Sequence, residues 1–384
     1  MKKLSVLHLA SFNGNIGDNA NHNGFYALME SIKNYKFEYT QLEIREFFWK
    51  KRFFDSAFVD YANGFDILII GGGNYFELWV DHSPTGTSIM IEPELFKQIK
   101  VPVLFNALGV DPGSGASQEA CEKFKHFLDV VLADPKNMIS VRNDGALASI
   151  GKYIGEKYLD QIHWTPDAGI LVACDDDFLQ MGKEYLAVNL AGDMLDVRFP
   201  NNTTGGISYS KFIEQMAEIL LNTLHEGFVG EVVLIPHIYK DLRCINDVLG
   251  HFPDETIRTK VIVAPLLHGK GSELKIFSIY KNAKITFAMR FHANLCSIGF
   301  GTPTIGLNSY IQIQQLYSEL GMSNYCVCVN KSNMSDSLES VLSIIKADLQ
   351  EHRRRFCCIS IKQKEYVTKY SKHIELWLNS QKQA

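Results

Sequence analysis

Arg290 and His292 are the residues of this chain best suited to chemistry, set one position apart in Ala288-Met289-Arg290-Phe291-His292-Ala293-Asn294. Arginine offers a planar fork for phosphate or carboxylate, and histidine gives or takes a proton near neutral pH. The apolar run Lys284–Ala288 reads as a strand that delivers both to its carboxyl end, and a helix is expected to begin near Ala293. The positive end of that helix would favour an anion at the same place, within reach of Asn294. An isolated arginine–x–histidine is more often a capping histidine beside a surface arginine. Its position at a strand end favours the functional reading here.

In open parallel sheets ligands bind beyond the carboxyl ends of the strands, so the residues after every other strand are candidates too. The first strand leads into Ser11 to Ala20, where Asn15, Gly17 and Asp18 suit either an anion- or sugar-binding loop or a capped turn. The third ends in Gly71-Gly72-Gly73-Asn74. Three successive glycines are entropically costly, and a ligand-lining loop justifies them better than a tight turn. The pattern is neither G-x-G-x-x-G nor a Walker loop. Further candidates are Asp111 after the fourth strand, Arg142 after the fifth, Arg198, and His237 with Asp241 following. Arg142 fits an anion or an ion pair with a neighbouring acid equally well. The eight cysteines form no C-x-x-C pair and no zinc set, so reduced thiols and no metal site are expected.

These residues need a scaffold of strands alternating with helices, and the chain supplies one. Apolar, β-branched runs occur at Leu4–Leu9, Phe37–Ile44, Asp66–Ile70, Val101–Ala107, Met138–Val141 and Gln161–Trp164. A second series follows at Tyr185–Leu190, Glu231–Ile235, Lys260–Val263, Lys284–Ala288, Pro303–Leu307 and Tyr325–Val329. Helical periodicity marks Ser117–Ala133, Ser210–His225 and Gly271–Asn282. Continuous apolar strands separated by helices mean parallel sheets covered on both faces. The expected fold is therefore α/β, with two doubly wound, Rossmann-like domains over residues 1–177 and 178–330, hinged at the acidic stretch Cys174 to Asp177. Residues 331–384 read as a helical tail, with helices over Ser335–Phe356 and Ser360–Leu378. The chemistry is expected in the cleft between the domains.

A length of 384 residues, 46% apolar and 21% charged, suits two cores that need no disulfides, and a net charge of −5 gives no general attraction to nucleic acid. The two lysines and short apolar run at the start lack a cleavage site and read as a buried strand. The expected location is the cytoplasm, with at most peripheral contact at the inner face of the membrane. For that contact the basic run His352-Arg353-Arg354-Arg355 competes with a solvated or internally paired helix face.

Taken with its neighbours, the Arg290–His292 segment resembles the signature of the polysaccharide pyruvyl transferase family. It is followed by Gly299 to Gly306, similar to the family's G-x-P strand, and by Gln312–Met322, similar to its closing segment. Asn15 to Ala20, the glycine triplet, Val141-Arg142, Pro166-Asp167 and Pro236-His237 with Asp241 also fall in family order. The resemblance implies a GT-B-like fold and transfer of the pyruvyl group of phosphoenolpyruvate onto two hydroxyls of a glycan, free or lipid-linked, to give a cyclic ketal. Phosphoenolpyruvate is then a substrate, and no cofactor is expected. Arg290 would hold the donor and His292 act as acid–base, with His237, Arg142, Arg198 and Asn294 on the donor side. Asn15, Gly17, Asp18, Gly72, Gly73, Asn74 and Asp111 would line the acceptor side. Two family cations are absent, after Val188 to Asp193 and in Asn308 to Gln312. Arg198 or Arg142 would have to compensate. Their absence keeps two alternatives in view: a nucleotide-sugar-dependent GT-B glycosyltransferase, or a non-catalytic binding protein of the same fold.

Overall fold

The computed structural model describes residues 1–113, 115–176, 178, 182–200 and 205–381. Two compact units share the chain. The first comprises Met1–Phe12, Phe25–Ala168 and the segment from Glu365 onward; the second comprises Asn13–Gly24 and Gly169–Lys364. The acidic stretch expected as a hinge ends in Asp177, which lies outside the described residues.

Fourteen strands are present among the described residues: β1 Lys2–Ala10, β2 Tyr35–Glu43, β3 Ile67–Gly71, β4 Phe76–Glu77, β5 Val103–Leu108, β6 Val110–Asp111, β7 Met138–Val141, β8 His163–Trp164, β9 Tyr185–Asn189, β10 Glu231–Leu234, β11 Val261–Val263, β12 Ile285–Ala288, β13 Thr304–Asn308 and β14 Cys326–Cys328. The first unit holds a six-stranded parallel sheet in the order β2-β1-β3-β5-β7-β8, and the second a six-stranded parallel sheet in the order β11-β10-β9-β12-β13-β14. Each apolar run expected as a strand is one. The pair β4–β6 was not foreseen, because two residues per strand leave no periodicity to read.

Counted within the second unit, the strand order is 3-2-1-4-5-6, which reverses direction between β9 and β12. The first unit follows 2-1-3-4-5-6 and reverses between β1 and β3. The central strands β3, β5, β7, β9 and β12 are fully buried, whereas the edge strands β2 and β11 are partly exposed. In the first unit Phe76, Phe96, Phe105, Phe124 and Phe127 form one aromatic core. In the second unit Phe277, Tyr280, Ala288, Val233 and Tyr185 pack with Ile16 and Ala20 from the helix Ile16–Glu30. Burying each large apolar side chain contributes about 1.5–3 kcal/mol. Helix starts follow the sequence where caps are present: Ser117 Oγ accepts from Ala120 N, and Ser208 Oγ from Lys211 N.

The tail helices run over Met334–Ala347 and Leu349–Ser380, not with the expected break between Phe356 and Ser360. The break falls at Asp348, whose extended backbone stops one helix and whose Oδ1 accepts from Glu351 N at 3.0 Å to start the next. Nothing in Cys357-Cys358-Ile359 interrupts helical hydrogen bonding. The long helix belongs to both units. Ser360 and Lys364 donate to Gly299 O in the second unit, at 2.6 and 2.7 Å. Tyr370 Oη pairs with Ser140 Oγ at 2.6 Å and donates to Asn106 Oδ1 at 3.0 Å in the first. The basic run is paired internally: Arg353 donates to Ala283 O, Arg354 to Glu351, and Arg355 lies over the Tyr325 ring.

Candidate functional site

The reversal point of the second sheet is where the candidate residues gather. Asn189 ends β9, and its side chain joins the neighbouring strand ends: Oδ1 accepts from Arg290 N at 3.0 Å and Nδ2 donates to Ile235 O at 2.9 Å. Arg290 therefore leaves β12 in a fixed direction, directly ahead of the helix Phe291–Gly299.

Its guanidinium is not an open fork. Nε donates to Asp241 Oδ2 at 2.7 Å, Nη2 reaches Asp241 Oδ1, and Nη2 also donates to Asp193 Oδ1 at 3.0 Å. Only Nη1 has no partner among the described residues. Arg198 shares the same carboxylate, donating to Asp193 O and Oδ1 and to Ser309 Oγ. Burial opposes the charge on Arg290, yet the two aspartates beside it hold it protonated more firmly than usual. Burial alone would raise the Asp193 carboxyl, but Arg290 and Arg198 override this and hold it below the ordinary range. Asp241, fully buried, also accepts from the backbone of Gly192, His237 and Ile238, so one carboxylate ties together three strand-end loops.

Two histidines complete the cluster. His237 Nε2 pairs with Tyr280 Oη at 2.8 Å, while its buried Nδ1 has no hydrogen-bond partner among the described residues. Burial, with Arg290 and His292 nearby, pushes this imidazole well below its usual range, so it is neutral at pH 7. His292 sits in the first turn of its helix, 6% exposed. It packs against the first turn of the helix Ile16–Glu30, where a Cβ on Gly17 would lie 2.6 Å from His292 Nδ1 and 2.9 Å from its Cβ. Ile16 N donates to His237 O, and Gly17 N to Asn15 Oδ1. Two helix N-termini thus converge on His292. Asp18 follows in the same turn and is 9% exposed.

Asn294 does not face this cluster. Its amide donates to Ala288 O and Arg290 O and accepts from Tyr317 Oη, which makes it a brace for the strand end. Asp193 instead lines a cavity of about 630 Å³ with Gly192, Phe199, Tyr209, Lys240 and Arg243. Asp193, Lys240 and Arg243 were missed by the sequence reading; the available signal was their place just past β9 and β10.

The first unit gathers the remaining candidates at its own strand ends. His8 underlies the glycine triplet, with Nε2 against Gly71 O at 3.1 Å and Nδ1 against Tyr26 Oη at 2.7 Å. Gly71 and Gly72 have φ of 147° and 87°, conformations that only glycine adopts readily. Gly72 N donates to Asn106 O, and Gly73 O accepts from Gly109 N. Asn74 Nδ2 donates to Asp111 Oδ2 at 3.0 Å, while Asn74 Oδ1 is buried without a partner among the described residues. Glu77 pairs in register with Asp111 on β4–β6, and burial pushes its carboxyl up to about 7. Arg142 is 3% exposed and pairs with Asp144 at 2.7 Å and Asp167 at 3.5 Å. Of its two readings, the ion pair is the one found.

Two reversing parallel sheets, each with polar residues at its reversal point, make a GT-B-like fold. The chain belongs to the polysaccharide pyruvyl transferase family, whose profile matches residues 15–309. No curated protein sequence matches it significantly. Among solved structures it is similar to UDP-GlcNAc 2-epimerase from Neisseria meningitidis bound to UDP-GlcNAc, at 10% identity and a TM-score of 0.57, covering 98% of this chain and 100% of that one. A glycosyltransferase from Rickettsia africae matches at 9% identity and a TM-score of 0.57, with 100% of each chain covered. S. aureus MnaA with UDP matches at 9% identity and 0.55, covering 99% and 97%. At such identities the likeness concerns the fold.

Proposed function

We propose that the protein transfers the pyruvyl group of phosphoenolpyruvate to two hydroxyls of a glycan, releasing phosphate and forming a cyclic ketal. The observation that supports this reading most is the Arg290–His292 pair at the sheet's reversal point, flanked by two helix N-termini, in a chain of the pyruvyl transferase family. Protonation of the donor's methylene carbon makes the adjacent carbon electrophilic. The first hydroxyl attacks it and loses its proton; phosphate then leaves and the second hydroxyl closes the ring. Of the two hydroxyl protons, one balances the new methyl group and the other leaves with phosphate. His292 is suited to carry these protons.

The donor's negative charge would fall to Nη1 of Arg290, the positive ends of the two helix dipoles, and Lys240 and Arg243 at the cavity. The last two would supply what the family's absent arginine and lysine do elsewhere. In the first unit, Asn74 and Asp111 are the groups suited to sugar hydroxyls.

The test is phosphate release from phosphoenolpyruvate with a panel of acceptor glycans, the ketal being read by mass spectrometry. His292→Gln is expected to abolish turnover while the protein stays folded. If phosphoenolpyruvate neither turns over nor binds by calorimetry, and UDP stabilises the protein instead, the donor is a nucleotide sugar and this reading fails.

A further inference from the structure

The segment Phe47-Phe48-Trp49-Lys50-Lys51-Arg52-Phe53-Phe54 carries five aromatic and three basic residues in succession, in a chain whose net charge is −5. The fold of the first unit sorts them into two sets. Phe47 and Phe54 stack at 4.2 Å and both pack edge-on against Phe58, so the base of the loop is fixed to the core. Phe48, Trp49 and Phe53 point the other way and are 74%, 50% and 61% exposed. Soluble surfaces seldom hold three large aromatics so exposed and so close together.

Nothing about this loop is loose. Trp49 N donates to Arg45 O, Lys50 N to Phe47 O, and Lys51 N and Arg52 N to Glu46 O. Lys50 has φ of 58°, a left-handed conformation costly for lysine, which turns the chain so that both sets can form. Arg52 is paired with Glu46 at 2.6 Å, and Lys51 lies over the Trp49 ring at 5.1 Å. Lys50 and Lys51 therefore stand beside the exposed rings with no carboxylate partner among the described residues.

We infer that this loop docks the protein on an anionic lipid bilayer, the three rings entering the interface and the lysines meeting the headgroup charge. Tryptophan and phenylalanine next to lysine is the composition that partitions into the headgroup boundary. A pre-ordered loop binds without an ordering cost. A nucleic acid would need a longer basic track than two or three cations. No helix among the described residues is long and apolar enough to cross a membrane, so the contact would be peripheral. This inference stands apart from pyruvyl transfer and is tested without donor or acceptor.

The full chain is floated with vesicles of equal parts phosphatidylglycerol and phosphatidylcholine, and with phosphatidylcholine alone. Binding is expected to the anionic vesicles, weakened in about 1 M salt, where the Debye length is roughly 3 Å. The paired substitution Phe48→Ser with Trp49→Ser should cut partitioning at least about tenfold. Lys50→Ser and Lys51→Ser should each cut it about fivefold. Trp49→Phe should still bind but lose much of the blue shift in tryptophan emission. All are surface changes, and circular dichroism confirms folding. No binding to anionic vesicles, or binding that these variants leave intact, overturns the inference. So does a patch that only mediates self-association, seen as a dimer by light scattering that Phe48→Ser with Trp49→Ser dissolves.

Discussion

Replacing Gly17 with alanine tests the site from its least conspicuous member. Alanine in a helix is ordinarily better than glycine by roughly 0.5–1 kcal/mol. At this position the added methyl would lie 2.6 Å from His292 Nδ1 and 2.9 Å from both its Cβ and Cγ. Ordinary carbon contacts are about 3.5–4.0 Å, so the imidazole must retreat by roughly 1 Å. Ring rotation cannot relieve a clash that includes Cβ, so the helix turn itself must shift. Overpacking of this kind costs about 1–3 kcal/mol, which outweighs the gain from helix propensity. Gly17→Ala should therefore lower stability by about 1 kcal/mol in urea denaturation. A displacement of that size at a catalytic group should cut turnover about a hundredfold. The decisive measurement is the same change in a His292→Gly background. With Cβ and ring both gone the clash vanishes, and alanine at position 17 should now stabilise by roughly 0.5 kcal/mol. If Gly17→Ala has the same effect on stability in both backgrounds, or leaves turnover unchanged, the packing of this turn against His292 does not govern the site.

Asp241→Asn leaves Arg290 buried with one carboxylate instead of two, and should cost about 3 kcal/mol in urea denaturation while weakening donor binding. Asp193→Ala frees a guanidinium edge on both Arg290 and Arg198, so phosphoenolpyruvate should bind about tenfold tighter by calorimetry even as thermal stability falls. Glu77 titrates near 7 in the fold against an ordinary 4.5, so it lowers stability progressively as pH rises from about 4.5 to 7 and by a constant amount above that. Glu77→Gln should recover up to about 3 kcal/mol at pH 8 and almost nothing at pH 4, measured by urea midpoints. Tyr370→Phe removes the partner of buried Ser140 and Asn106 and should cost about 1–3 kcal/mol, showing that the tail is part of the first unit's core.

The central strands were legible because both faces of each sheet are covered there, so β3, β5, β9 and β12 are largely apolar runs, while edge strand β2 shows alternation instead. The strand-end rule led to Arg290, His237, Gly17 and the glycine triplet, each of which lies at or just past a strand end in the fold. What the sequence did not disclose are the partnerships. Asp241 and Asp193 stand 49 and 97 residues before Arg290, and nothing local signals that they neutralise it. Asn294 lies one turn past Arg290, and spacing alone cannot show that its amide turns back to cap β12. Nor does a continuous helical pattern over residues 16–30 reveal that its first half packs in one unit and its second half in the other. The aromatic loop is different: Phe47 to Phe54 is conspicuous in the sequence, and attention to strand ends passed over it.

The charge arrangement of the second unit bears on how an anionic donor could be attracted at all. Arg290 and Arg198 face Asp193 and Asp241, so this group is formally neutral and mostly buried. A neutral cluster exerts little pull on a trianion; its work is to hold three strand ends in register. Attraction must then come from elsewhere: Lys240 at the cavity has no carboxylate partner among the described residues, and Arg243 beside it is held by Asp247 only at 3.8 Å. Asp193 is the partner a donor would displace. It is 21% exposed against none for the Asp241 side chain, and the left-handed residue Met194 follows it directly. A carboxylate or phosphate arriving there would meet two guanidinium edges already aligned, exchanging an internal anion for an external one at little electrostatic cost. Under the proposed function, Asp241 would fix the geometry and Asp193 would set the donor's affinity.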